Sequence, residues 1–307
     1  MSICRIISLF AGLFLALGCD AADIGTATLI DGKPRLLRGT AWYSMVEGVR
    51  IRDTDVIEVP EKSQFQLETI DGAAISLIGP GSLYAVSLSG GDAKARPAAE
   101  FWVSRGWCKL DTRPAATRLR LRSPMGSVIT ADAAAVIRMA DTMEVFVERG
   151  VARVVEPGKG DGSGPEVRGG GFASRAAGKP FVVAERAPST FVSALPRDFM
   201  DPLPLRAARF AAVREPVLDH EATYPEVQAW LAGPYRVAFA KRFESKMTDP
   251  AFKAAIDAAK PAVDPATAAA KAPVPPVPTA KAEPPKEEKK AEPERTFRWP
   301  WERAGGK

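Results

Sequence analysis

From Ile24 to Val155 the chain alternates short apolar runs with turn signals, and side-chain polarity repeats every second residue. The stretch "IGTATLIDGKPRLLRG" predicts strand, Asp31-Gly32 turn, strand. In "VRIRDTDVIEV", Val49 and Ile51, then Val56 and Ile57, stand among charged residues. "FQLETIDGAAISL" places Phe65 and Leu67, then Ala73, Ile75 and Leu77, on either side of Asp71-Gly72, a strong short-range hairpin signal. "MEVFVERGVARVVE" sets Val145, Val147, Val151 and Val155 around an expected Arg149-Gly150 turn. No long helical period interrupts this half, so the fold class is mainly β, a solenoid or a sandwich of short strands.

The pattern then changes twice. "EPGKGDGSGPEVRGGG", Glu156 to Gly171, is dense in glycine. It has neither the Gly-x-Gly-x-x-Gly step between strand and helix nor a Gly-Lys-Ser/Thr ending, so it reads as a hairpin loop rather than a phosphate cradle. A short strand is expected at Phe181–Val183, followed by the proline-broken "LPRDFMDPLPLRAARF". Helical spacing begins at Thr223-Tyr-Pro-Glu226, which has the spacing of a capping box with proline in the first turn. Val227, Trp230 and Leu231 form its apolar face, and Gly233-Pro234 ends it. Tyr235, Phe239, Phe243 and Met247 make a stripe on a second helix, and Phe252 and Ile256 mark a third; such stripes predict packing rather than a ligand slot.

From Lys260 to Glu294 the composition is Ala, Pro, Lys and Glu without aromatics, which cannot bury a core and predicts a disordered, semi-rigid tail. It ends in "RTFRWPWERAGGK", where Phe297, Trp299 and Trp301 are interleaved with Arg295, Arg298 and Arg303. Phe297, Arg298, Trp299 and Trp301 are candidate docking residues for a protein partner, a glycan strand or a membrane surface; folding back onto the chain's own domain is the alternative. The expected organisation is 1–21 signal peptide, 22–156 β domain, 157–203 glycine-rich loop and irregular extension, 204–259 helical segment, 260–294 linker and 295–307 terminal motif.

The start bears on compartment. "MSICRIISLFAGLFLALGCDAAD" places Arg5 before an apolar run from Ile6 to Leu17 and then small residues, the pattern of a secretory signal with cleavage expected before Ala22. "LALGC" is also a loose lipobox, in which Cys19 becomes a lipidated N-terminus; soluble export is the favoured reading. The expected location is the periplasm or cell envelope, with membrane contact only if Cys19 is lipidated. Once Cys4 and Cys19 are set aside, Cys108 is the remaining one of 3 cysteines, so no internal disulfide is expected, and it reads as a small buried residue beside Trp107.

Charge and chemistry narrow the function. A net charge of +5 over 307 residues, spread without a basic groove, argues against a nucleic-acid partner. The one histidine, His220, is expected in a polar loop; Asp219, His220 and Glu221 are adjacent residues that seldom converge on one metal ion. No Gly-x-Ser-x-Gly elbow accompanies it, and Asp53 and Asp55 sit where turns use Asp. No catalytic, cofactor or metal residue is therefore assigned, and no enzyme activity is expected.

An ordered set of motifs resembles the FecR-type domain: Gly39; Gly48-Val-Arg-Ile51-Arg-Asp-Thr54-Asp55; Asp71-Gly72 leading to Gly79-Pro80; Ser123-Pro124-Met-Gly126; and Val145 to Val154 around Gly150. One departure is Thr54, where the family usually has glycine before the Asp. The resemblance covers roughly residues 24–156 and implies an exported FecR domain-containing protein, without the anti-sigma helices and transmembrane helix of the iron-uptake regulators. It implies a non-catalytic envelope binding or adaptor module that binds an envelope protein or cell-wall glycan and acts in signalling or assembly through protein–protein contacts. The alternative is a peptidoglycan-associated structural protein docking through its Trp/Arg tail.

Overall fold

The apolar runs of the first half form strands β1 (Asp23–Asp31), β2 (Arg35–Arg38), β3 (Ala41–Ser44), β4 (Arg50–Arg52), β5 (Val56–Val59), β6 (Gln64–Thr69), β7 (Ala74–Ile78), β8 (Gly81–Ala85), β9 (Ala99–Val103), β10 (Gly106–Asp111), β11 (Arg118–Ser123), β12 (Gly126–Met139) and β13 (Thr142–Val155). Then come β14 (Glu166–Arg168), β15 (Phe172–Ala176), β16 (Val182–Ala184), helix α1 (Ser189–Ala194), β17 (Val217–Glu221), and helices α2 (Tyr224–Ala232), α3 (Arg236–Arg242) and α4 (Pro250–Ala259). This computed structural model describes residues 22–86, 99–112, 118–210 and 212–259. They belong to one compact unit ending at Lys260; a second unit, Pro261–Lys307, lies outside the described residues.

The 17 strands make one hydrogen-bonded network that folds into two layers. The first layer runs β4-β1-β6-β7-β10, then through the C-terminal half of β12 and the N-terminal half of β13 to β15 and β16. The second runs β17-β3-β2-β5-β8-β9-β11, then through the other halves of β12 and β13 to β14. Only β9 with β11 is parallel among these ladders. A solenoid would stack its coils in parallel, so of the two expected architectures the molecule adopts the sandwich. The residues that alternate inward, among them Phe65, Leu67, Ile75 and Leu77 from one layer and Ile57, Leu83, Phe101 and Leu121 from the other, form the shared core.

Three sequence expectations are corrected. Asp31-Gly32 is not a hairpin: β1 pairs with β4 and β6, and β2 with β3 and β5, so the turn carries the chain from one layer to the other. Local sequence announces a reversal, but the partner is chosen by which face each strand must bury. Asp71-Gly72, by contrast, does close a hairpin, β6 with β7. Arg149-Gly150 is not a turn either, because β13 runs unbroken for 14 residues and kinks there. The ladder with β12 shifts register around Ala134; Asp132 and Gly150 take φ of +52° and +75°. A Cβ on Gly150 would lie 2.2 Å from the Asp132 carbonyl oxygen. Finally, Glu156–Gly171 is not only a loop. It contains β14, and Gly169, Gly170 and Val147 exchange backbone hydrogen bonds with the kink (Gly169 N to Gly150 O 2.9 Å, Gly170 N to Val147 O 2.7 Å, Val147 N to Gly171 O 3.1 Å).

The bulge frees the backbone of Ala133, and Thr112 satisfies it. The Thr112 N–H donates to the Ala133 carbonyl at 2.9 Å, its hydroxyl donates to the same oxygen at 3.0 Å, and Ala133 N–H donates to Thr112 Oγ1 at 2.9 Å.

Strands β6 and β7 are buried on both faces, which strict alternation does not predict. The C-terminal third of the described chain supplies the cover. Over the first layer lies a strap: Phe191 of α1 packs among Trp107, Phe146 and Phe172 with ring centroids 5.2, 6.3 and 5.1 Å away. Burying a Phe this fully contributes about 2–3 kcal/mol. Over the second layer lie α2 to α4, whose Val227, Trp230, Phe239, Phe243 and Phe252 form a second core with Leu37, Trp42, Val56 and Tyr84. The stripe through Phe239 and Phe243 thus packs on the sheet.

Replacing Gly150 with alanine is expected to cost on the order of 2 kcal/mol or more, because a left-handed L-residue and a backbone collision combine. The melting temperature should fall by roughly 4–8 °C; an unchanged melt would remove the kink's role.

Candidate functional site

Apart from Cys108 in the core, the groups with chemical potential are distributed over both outer faces, and each is held by a neighbour. Cys108 on β10 is fully buried, and burial pushes its thiol up, away from thiolate character. Beside it, the Lys109 side chain points to the opposite face and is also fully buried. Its Nζ donates to Glu148 Oε1 at 2.8 Å and to the carbonyls of Phe199 and Asp201 at 2.8 and 2.9 Å. All three ammonium donors are therefore satisfied, two of them by the strap. Burial pushes the Glu148 carboxyl up, against the pull of Lys109. Gln66 donates to Thr28 Oγ1 and to the Pro204 carbonyl at 3.1 and 2.8 Å, and Glu68 accepts the backbone N–H groups of Arg206 and Ala207 at 2.5 and 3.0 Å. These polar residues occupy outward positions that the alternation assigns to solvent; here they fix the strap.

On the second layer, Asp55 is buried, takes two hydrogen bonds from Arg38 at 3.0 and 2.6 Å, and accepts the Arg52 backbone N–H at 2.8 Å. Thr54 takes a left-handed φ of +69° and keeps it with an N–H bond to Ala85 O of 2.9 Å. Arg242 of α3 then clamps the helices to this corner. Its guanidinium donates to the carbonyls of Gly39, Thr54 (2.8 Å) and Leu37 (2.9 Å) and lies 5.4 Å from the Phe239 ring centroid. Burial brings the Arg242 pKa down to about 10, still charged at neutral pH. Gly39, Thr54, Tyr84, Ala238, Phe239 and Arg242 line a pocket of about 160 Å³. That is below the roughly 300 Å³ at which small-molecule sites begin.

His220 lies on β17, not in a loop: β3 recruits Val217–Glu221 as an added strand. Its Nδ1 faces Asp219 Oδ2 at 3.1 Å, and its Nε2 faces both Glu226 oxygens at 3.0 and 3.1 Å. The two nitrogens of one ring point in opposite directions, so these carboxylates do not converge on one ion. Glu221 turns away to Lys246 at 3.1 Å. Among the described residues no group of three His, Cys, Asp or Glu side chains is placed to hold a metal. Glu226 also caps α2, accepting the Thr223 backbone N–H and hydroxyl at 3.0 and 2.8 Å, which is the role its spacing announces.

The candidate docking residues Phe297, Arg298, Trp299 and Trp301, and Cys19, lie outside the described residues. No described helix is long and apolar enough to cross a membrane. What remains accessible is edges. Four strands have a single ladder partner among the described residues: β4, β14, β16 and β17. Sequence reasoning missed the Lys109 and Arg242 anchors, since their partners are backbone carbonyls that leave no mark in the sequence.

No family model matches the chain, and no curated protein matches it. Two crystal structures of a candidate anti-sigma factor from Parabacteroides distasonis, at 1.65 and 2.50 Å resolution, align with it at 14% identity and a TM-score of 0.35. They cover 45% of this chain, which spans 63% and 62% of theirs. At that score the likeness assigns neither fold nor function, and the FecR-type resemblance rests on the sequence motifs.

Two measurements check these contacts. Lys109→Met leaves the Glu148 carboxylate and two strap carbonyls without their donor, and is expected to cost about 3–5 kcal/mol. Amide exchange should accelerate first at Phe191–Asp201; adding Glu148→Leu should recover part of the loss, and protection unchanged in the strap would refute the anchor. The second concerns His220, whose pKa is raised chiefly by its hydrogen bond to Glu226. A raised folded pKa means that its stabilisation is full below the ordinary value of 6.5 and is lost as pH climbs from there through the folded pKa. Because the chain has 1 histidine, its NMR titration is unambiguous: a midpoint above 6.5 that drops in Glu226→Gln is expected. A midpoint at or below 6.5 would count against the pairing.

Proposed function

We propose that this chain is a non-catalytic binding module exported to the cell envelope, acting as an adaptor in signalling or assembly through protein–protein contacts. The observation that supports it is where the reactive groups are used. Cys108 is buried in the core, and Lys109, Glu148, Asp55 and Arg242 are buried or half-buried and hold the strap, the corner and the helices in place. Among the described residues, strand edges without a second ladder partner remain for binding. The leader pattern before Ala22 supports export, and the tail from Pro261 would offer a second contact whose tethering raises effective concentration.

A second reading, a wall-associated protein that docks on peptidoglycan through Phe297, Arg298, Trp299 and Trp301, is favoured by one feature, the aromatic and arginine cluster at the end of a proline-rich spacer.

Crosslinking in envelope fractions, with the full chain and with one ending at Glu294, separates the two. Specific protein adducts are expected for the adaptor. Co-sedimentation with purified sacculi, lost on truncation, together with no protein adduct, would sink the adaptor reading and leave the wall-associated one. Mass analysis of the mature N-terminus should show Ala22; a lipidated Cys19 would place the module on a membrane, and an intact Met1 would remove the export assignment.

A further inference from the structure

Helices α2 to α4 cover one end of the second layer, and the face at its other end is rich in arginine. Strand β11 reads Arg118-Leu119-Arg120-Leu121-Arg122; both leucines enter the core, so the pleat turns all three arginines outward. The same parity puts Arg153 of β13 and Arg168 of β14 on this face, because Ala152, Val154 and Val167 point inward. The ladders align Glu100, Arg120, Ile129, Arg153 and Glu166 in one row across β9, β11, β12, β13 and β14. Charges that the sequence spreads over three strands are thus gathered by pairing onto one surface.

Two carboxylates divide the charge of β11, and they are held differently. Glu100 belongs to β9, is buried, and bridges Arg120 and Arg122 at 2.8 Å each. Asp161 comes from the loop between β13 and β14 and bridges Arg118, at 3.5 Å, and Arg120. Between Pro157 and Pro165 that loop reads Gly-Lys-Gly-Asp-Gly-Ser-Gly, without one apolar side chain. A Cβ added at Gly158, Gly160 or Gly162 would meet no atom within 4 Å, so nothing packs on the loop there. Its hold on the arginine face is Asp161 together with the Gly162 carbonyl, which accepts from Arg153 at 2.7 Å. Ion pairs at a surface contribute little. Positive charge stays in excess beneath the loop. Burial, with Arg122 and Arg118 adding to it, pulls the Arg120 pKa down against Glu100, and its buried Nε has no acceptor among the described residues.

We propose that this face docks an acidic segment of a partner protein, and that Asp161 occupies the place of the partner's carboxylate until it arrives. The resident occupant identifies the chemistry: a side-chain carboxylate between two guanidinium groups, and a main-chain carbonyl on a third. A lipid headgroup would supply phosphate oxygens but no peptide carbonyl. Docking exchanges the Asp161 ion pairs for equivalent ones and adds contacts that Asp161 does not make, at Arg122 and Arg168, both exposed. That partner class rests on the adaptor reading, to which it adds the chemistry of the contact.

The test is fluorescence anisotropy of a labelled decapeptide of alternating Asp and Gly, titrated with the full mature chain. Binding is expected at about 50 mM salt and should weaken toward about 200 mM, as exposed charges are screened. The same peptide with Asn for Asp should not bind. Asp161→Asn removes the internal competitor and should tighten binding about threefold, whereas a carboxylate that only pins the loop would leave it unchanged or weaker. Arg168→Glu, at an exposed position, should weaken binding about threefold or more with an unchanged melt. Equal affinities in wild type and Asp161→Asn overturn the proposal, as does indifference to Arg168→Glu. Vesicles rich in anionic lipid that bind the chain when the peptide does not would overturn the partner class. Envelope crosslinking separates this from the adaptor reading: protein adducts alongside an unmoved titration sink the docking face alone, and the absence of any protein adduct sinks both.

Discussion

One line of backbone irregularity crosses four strand positions, and the sandwich depends on it. β10 and β11 lie end to end along one edge of β12, broken between Asp111 and Arg118; β12 bulges at Asp132 and Ala133; β13 kinks at Gly150; and β14 and β15 are separated by Gly169-Gly170-Gly171. Where these breaks align, one ribbon of strands leaves the plane of the first layer and enters the second. A bulge adds a residue to one strand of a ladder, bending it and increasing its twist. The cost is unpaired backbone, which Thr112 on one side and the glycine triplet on the other make good. Each layer needs the other to bury its inner face, and the shared ribbon fixes their separation.

The outer faces pose a second problem, solved differently on each side. On the first layer the outward residues include the rings that Phe191 packs against and a set of polar side chains, which the strap meets with its own backbone, taking donors from Lys109 and Gln66 and giving N–H groups to Glu68. On the second layer the outward residues Leu37, Trp42, Val56 and Tyr84 are apolar, and helices meet them with aromatic rings, Trp230 stacking on Phe239 with centroids 5.0 Å apart. The first contact gains directionality from hydrogen bonds that would be costly to leave unmade. The second gains area from rings. Arg242 belongs to both kinds, with carbonyls on its donors and a ring beneath its plane.

What this leaves for function is the perimeter. Buried charge at Lys109, Asp55 and Glu148 serves cohesion, and His220 bridges an added strand to the first turn of α2 through Glu226.

Much of this was legible in the residues. Period-two alternation placed Phe65, Leu67, Ile75 and Leu77 on one buried face, Asp71-Gly72 closed its hairpin, Thr223 and Glu226 capped their helix, and the aromatic stripe of α3 found a core. Those are interactions between residues close in the chain, or consequences of burying a face, and both leave a periodic or fixed-spacing signature. Tertiary structure alone decided that Asp31-Gly32 is a passage between layers, that Gly150 kinks a strand instead of ending it, and that Val217–Glu221 is a strand. It also decided that outward polar residues would be covered. Each of these turns on a partner tens of residues or more away, often a backbone carbonyl, and a carbonyl is the same at every position of the sequence.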